Sequence, residues 1–193
     1  MDNNENISVK RENVLNAYKN ANDEQKKLIE MLFGKNMFKM DVTERIKTFE
    51  DACEEIGENH PYVKAYNGFV KLGLPNQADI VAYLKLRIIT AALNEGWEPQ
   101  FTQDEWRWFP WFCLWTDEEL EEKSDEWKEE HRLIDFDDFK GEWAGFAFAD
   151  SSNAPSGAAA YFGSRLCYQS KALAVYSGLQ FADLWADLYL IRK

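Results

Sequence analysis

The stretch Glu105–Trp115, EWRWFPWFCLW, carries six aromatic side chains in eleven residues, and no other feature restricts the fold as strongly. Pro110 in its middle has no N–H to donate and would break a helix, so the run reads as a β-strand. Side chains of a strand alternate between its two faces. Phe109, Trp111, Cys113 and Trp115 therefore fall on one face, and Pro110, Phe112 and Leu114 on the other. A strand that is apolar on both sides needs cover on both sides. Leaving all of these rings in water would create a patch larger than the roughly few hundred Å² that soluble monomers tolerate. Most of the run is accordingly assigned to the core. Its first residues, Trp106, Arg107 and Trp108, are assigned to a wet, partner-facing end, where rings could stack on single-stranded bases or sugar faces.

Two further segments have strand character. EWAGFAFADS (142–151) alternates Ala144, Phe146 and Phe148 with small residues, and GSRLCYQS (163–170) alternates Leu166 and Tyr168 with Arg165 and Cys167. Together with the aromatic run they predict a small, mainly antiparallel sheet, with Pro110 at an edge or a bulge. Trp111, Phe112, Trp115, Phe146 and Phe148 are expected at its centre. Between the last two segments runs SSNAPSGAAAYF, longer than a hairpin needs and of the kind that often carries function. Ser151 and Asn153 in it join Trp106, Arg107 and Trp108 as candidate binding residues.

Helical spacing accounts for the rest. Asp23 is read as the cap of EQKKLIEMLFG, with Leu28, Ile29, Leu32 and Phe33 as its stripe and Gly34 as its stop. Thr48 and Asp51 form a near capping box ahead of Phe49, Ala52, Cys53 and Ile56, and Gly57 ends that helix. Asn76 is read as the cap of QADIVAYLKLRIITAALNEG, apolar nearly all round and so the central helix. KALAVYSG, stopping at Gly178, precedes a last helix whose Phe181, Leu184, Trp185, Leu188 and Tyr189 share a face. That face packs on the sheet or docks a second subunit. The fold class is α+β, with helices around the sheet. A helical segment over 1–40 is expected to precede a single α+β domain over 41–193.

Charge narrows the functions. With 34 acidic and 22 basic residues the net charge is -12, which repels nucleic-acid phosphate over most of the surface. Residues 117–138 hold 12 Asp or Glu against 3 Lys or Arg, and therefore -9 of that charge. The segment reads as a solvated helix with Trp127 turned inward, as a mimic of the DNA backbone, or as a cation site at Asp135, Asp137 and Asp138. The last of these lacks the calcium-loop spacing. Cys53, Cys113 and Cys167 form no CxxC pair, so neither a zinc site nor a disulfide framework is indicated. His60, in the turn-like ENHPY, and His131, in the charged run, have no motif partner. No phosphate-binding glycine loop, nucleophile elbow or HExxH is present. No catalytic residue, metal or cofactor is assigned, and the chain is read as a non-enzyme. Its polar beginning, MDNNENISVKRENV, has no signal-peptide core. No stretch is apolar enough to span a membrane, so a cytoplasmic protein is expected.

The segments NAYKNANDEQKKLIEMLFG, DVTERIKTFEDACEEIG, AYLKLRIITAALNEGW, FPWF and GSRLCYQSKALAVYSGLQFADLW follow one another in order. That order resembles an uncharacterised family of proteins from gut Bacteroidetes and their phages or integrated elements, over nearly the whole chain. The resemblance implies a phage or mobile-element setting and brings no activity or site residue with it. The expected function is that of a non-enzymatic accessory protein acting on a protein partner. The surface would be the acidic segment, the Trp106–Trp108 end and the long Ser/Ala loop. Two alternatives stand beside it: a module binding single-stranded nucleic acid or glycan through exposed aromatics, and an acidic DNA-mimic inhibitor. Monomer and homodimer both stay open.

Overall fold

The computed structural model describes residues 8–100, 102, 104–135, 143–155 and 164–190, with backbone alone at 35–36, 152–155 and 164. Among these residues are ten α-helices and a three-stranded antiparallel sheet, so the fold is α+β. The chain divides into two compact units, Met1–Val42 and Thr43–Lys193.

In the first unit, α1 (Arg11–Lys19) and α2 (Asp23–Phe33) are followed by a 3₁₀ turn, Lys35–Phe38. The cap of α2 is Asn22 rather than Asp23. Its Oδ1 accepts from the Gln25 N–H at 3.0 Å, and the Gln25 side chain accepts from the Asn22 N–H at 3.0 Å. This reciprocal box satisfies two N–H groups that the first turn leaves unpaired. Gly34 stops the helix at φ +83°, a conformation that costs glycine least. The Tyr18 ring stacks on Phe38 at 4.1 Å, and its hydroxyl donates to Glu30. The expected stripe of α2 is not core: Leu28, Leu32 and Phe33 are exposed, as is Met31.

The second unit is built around α6 (Ala78–Leu93), whose Leu86, Ile88, Ile89 and Leu93 are fully buried. Burying each of these stabilises by about 1.5–3 kcal/mol relative to leaving it in water. A short α3 (Val42–Arg45) leads into α4 (Phe49–Ile56), and α4, α5 (Pro61–Val70) and α10 (Ala182–Tyr189) pack on α6. Thr48 and Asp51 make the expected capping box. The cap of α6 is Gln77, with no side-chain bond; Asn76 instead takes a left-handed φ of 57° in the preceding turn, which Asn tolerates. Helix α5 was not foreseen in the sequence. His60 caps it, with Pro61 at the first helical position, where a missing N–H costs nothing.

The sheet consists of β1 (Trp106–Trp115), β2 (Ile134–Asp135) and β3 (Gly145–Pro155), in the order β1-β3-β2. Trp111 lies opposite Asp150 and Phe112 opposite Phe148, so Ala149 is an extra residue, a bulge beside Pro110. The segment 163–170 is not the third strand. Its described part forms a 3₁₀ turn, Ser164–Leu166, and then touches β1 through a single bridge between Tyr168 and Trp108. Helices α7 (Asp117–Glu121) and α8 (Asp125–Glu130) link β1 to β2. Helix α9 (Lys171–Gln180) packs on β1 and β3 and runs straight through Gly178. A methyl group at Gly178 would come within 2.5 Å of the Phe148 ring and 2.9 Å of Pro110. That glycine marks a close approach of helix and sheet, not a helix end.

A buried polar network, unannounced by any motif, joins these layers. The Tyr168 hydroxyl lies 3.0 Å from Thr90 Oγ1 and 2.6 Å from Ser177 Oγ, and the Trp185 indole N–H donates to Ser177 at 3.2 Å. Desolvation pushes the Tyr168 phenol up to about 12. Its neighbour Cys167 is pushed up to about 11, chiefly by burial and slightly offset by the Arg107 charge.

Candidate functional site

The aromatic strand divides at its bulge. In its first half the expected wet end is only partly wet: Trp106 is 49% exposed, but Arg107 is 0% exposed. Arg107 therefore cannot meet a partner as expected. Odd and even residues of the strand take opposite faces, and the odd side here runs inward to Arg107 and the buried Phe109. Trp108 is half-buried, because its backbone exchanges hydrogen bonds with Tyr168 at 2.9 and 3.0 Å. Register places Ser151 opposite Pro110 and the backbone of Asn153 opposite Trp108. Trp106, Trp108, Ser151 and Asn153 thus come from two neighbouring strands at one end of the sheet. The Ser151 hydroxyl is buried and has no hydrogen-bond partner among the described residues, so it turns inward. The Asn153 side chain and the loop over 156–162 lie outside the described residues.

In the second half the expectation of core holds only in part. Phe146 and Phe148 are buried as predicted, and Phe112 stacks on Phe146 at 4.6 Å. Trp111, however, is 46% exposed and Leu114 38%. Among the described residues β1 lies at one edge of the sheet, next to β3 alone. Trp111 and Leu114, with Pro110, Cys113 and the exposed Tyr189 from the end of α10, line an apolar groove of about 350 Å³. Trp115 is screened instead, edge-on to Trp127 of α8 at 5.1 Å with the Lys123 ammonium 4.8 Å above its ring.

The strand leads directly into a run of carboxylates. Thr116 caps α7 through a reciprocal box with Glu119, and Asp117, Glu118 and Glu119 are exposed one turn beyond the strand. Acidic residues in the first turn suit the positive end of the helix dipole. Within the acidic stretch, Trp127 is half-buried as expected and stacks on His131 at 4.3 Å. The His131 Nδ1 donates to the Trp127 carbonyl at 2.9 Å, so both histidines serve helix ends. Of the proposed oxygen cluster only Asp135 is described; 137 and 138 lie outside the described residues. Among the described residues no three His, Cys, Asp or Glu side chains converge on a point that could hold a metal ion. The three cysteines are free thiols. No helix there is long and apolar enough to cross a membrane.

Comparison of the chain with family models, with curated proteins and with solved structures finds no match in any of the three. The chemistry of the surface must therefore stand on the residues themselves. The groove is apolar, lies on a strand at one edge of the sheet, has the Cys113 thiol in its wall, and is followed in the chain by the acidic α7. It can hold an apolar chain segment and attract basic residues next to it.

Proposed function

We propose that the chain is a non-enzymatic accessory protein, in the phage or mobile-element setting that its segment order suggests, and that it acts through protein contacts at the open half of β1. The observation that carries this reading is the exposure of Trp111, Leu114 and Tyr189 around one groove. Large apolar residues clustered in this way at a strand edge mark interaction surfaces more often than solvent-facing decoration. The occupant is an extended partner segment with alternating apolar residues, since an edge strand offers a template for one more strand. Lys or Arg flank it, because the exposed Asp117, Glu118 and Glu119 follow the strand in the chain, the first of them three residues after Leu114 of the groove wall.

Selection of a random peptide library on the full chain tests this. Enriched peptides should alternate apolar residues beside a basic cluster. Leu114→Lys and Trp111→Ser should each weaken them by about tenfold or more while the protein stays folded. Peptides without that pattern, or with affinities indifferent to both substitutions, would remove the basis of the reading.

A further inference from the structure

A second cleft, remote from the groove in its lining residues, occupies about 620 Å³ between the start of α5, the end of α6 and the 3₁₀ turn at 164–166. Its size falls in the roughly 300–1,000 Å³ range of small-molecule sites. We infer that it binds a small organic anion, a phosphate monoester or a carboxylate bearing a flat apolar body, through Arg87 and Arg165.

Two of the residues lining this cleft are arginines. Acidic residues outnumber basic ones 34 to 22, yet no carboxylate pairs with Arg87 or Arg165 among the described residues. The Arg87 guanidinium carbon lies 4.0 Å from the centre of the Tyr62 ring, and its Nε is buried with no hydrogen-bond partner among the described residues. A cation held over an aromatic face keeps its N–H donors for other partners; Arg87 lines the cleft, and two parallel guanidinium N–H groups match a carboxylate or phosphate edge. Arg165 is exposed on its turn. That turn is tied to α6 by Asn94, whose side chain donates to the Cys167 carbonyl at 2.8 Å and accepts from the Gln169 N–H at 3.1 Å. Asn94 therefore holds the turn carrying Arg165 in place against the helix carrying Arg87.

His60 adds a third donor. Its Nδ1 accepts from the Tyr62 N–H at 3.2 Å, so the other ring nitrogen carries the proton, and His60 is one of the residues lining the cleft. The backbone does not decide the sign. The first turn of α5 and the last turn of α6 both border the cleft, and their opposite half charges, about +0.5 and -0.5, offset each other. Side chains decide it: two guanidinium groups face one carboxylate, the exposed Glu98. Ile56, Ala91, Trp97 and Pro99 supply the apolar wall for the body of the ligand.

The test titrates phenyl phosphate, benzoate, inorganic phosphate and benzylamine separately into the full chain. Binding is followed at the indole N–H resonance of Trp97, assigned with Trp97→Phe. Phenyl phosphate or benzoate should shift it saturably, with a Kd below about 1 mM, and the tighter of the two identifies the oxyanion. Inorganic phosphate should bind more weakly, because it leaves the apolar wall unused. Arg87→Gln and Arg165→Gln should each weaken binding by about tenfold, and Glu98→Gln should strengthen it. Arg165 is exposed, so its variant answers even where Arg87→Gln disturbs the fold. The inference is overturned by no saturable shift from either ring-bearing anion, by binding that ignores both arginine substitutions, or by a preference for benzylamine.

Discussion

Gly178 lies within α9 at a point where the helix meets Phe148 and Pro110. Alanine there would gain roughly 1 kcal/mol in helix propensity, but its methyl group would stand 2.5 Å from the Phe148 ring, and overpacking of that kind costs roughly 1–3 kcal/mol. Gly178→Ala is therefore expected to lower the thermal midpoint, and Phe148→Leu in the same chain to recover part of the loss. A variant as stable as the parent would show that helix and sheet can separate there freely. Gly145 makes the contrast: the atoms nearest its added methyl, at 2.7 and 2.9 Å, are the ends of the Leu133 and Leu120 side chains, which can turn away. Nothing in KALAVYSG separates these cases, and local rules read Gly178 as a stop. Arg107 was misread as well. Beside Trp106 and Trp108 it has the composition of a wet rim, but strand alternation puts it on the inward side with the buried Phe109.

At the scale of elements, what the sequence revealed was what neighbours along the chain decide. The capping box at Thr48 is local, with Thr48 Oγ1 accepting from the Asp51 N–H at 3.1 Å and the Asp51 carboxylate accepting from Lys47 and Thr48. Those bonds, the one from the Lys47 N–H first, hold the Asp51 carboxyl below its ordinary value. Its contribution is present above that ordinary value and is lost as pH falls through the lowered one. Thr48→Ala should destabilise the protein by about 1 kcal/mol, read as a lower urea midpoint at unchanged slope. No change would mean that α4 is held by its packing on α6 alone. Elements whose identity depends on distant partners were less legible. GSRLCYQS alternates like a strand, but Asn94 takes up the Cys167 carbonyl and the Gln169 N–H, so the segment bridges to β1 at a single residue. The groove was half legible: its aromatics stood out, and their exposure did not, because periodicity does not say which strand ends at a sheet edge.

For the whole molecule, the buried network sets a limit in alkali. The Cys167 thiol ionises near 9 in the open chain and near 11 when folded, and the Tyr168 phenol near 10 and near 12. Both groups hold their protons more tightly in the folded state, so their contribution to stability is constant below about pH 9 and is lost as pH rises from there toward about 12. The check is the urea midpoint across that range; Tyr168→Phe should flatten the fall above pH 10. A parent profile that stays level to pH 12 would mean that water reaches the network.

The sequence alone settled the α+β class, the strand at Trp106–Trp115, the central helix at Ala78–Leu93 and the acidic balance of the surface. These follow from periodicity, Pro110 and composition, each a property of a short stretch or of a sum. Only the tertiary structure decided that Trp111 faces water while Arg107 does not, and that Tyr168 closes a network with Thr90 and Ser177. It alone brought His60, Arg87 and Arg165 around one cleft. Such facts depend on which segments meet after the chain has turned back on itself, and burial is a property of the meeting rather than of the residues that take part in it.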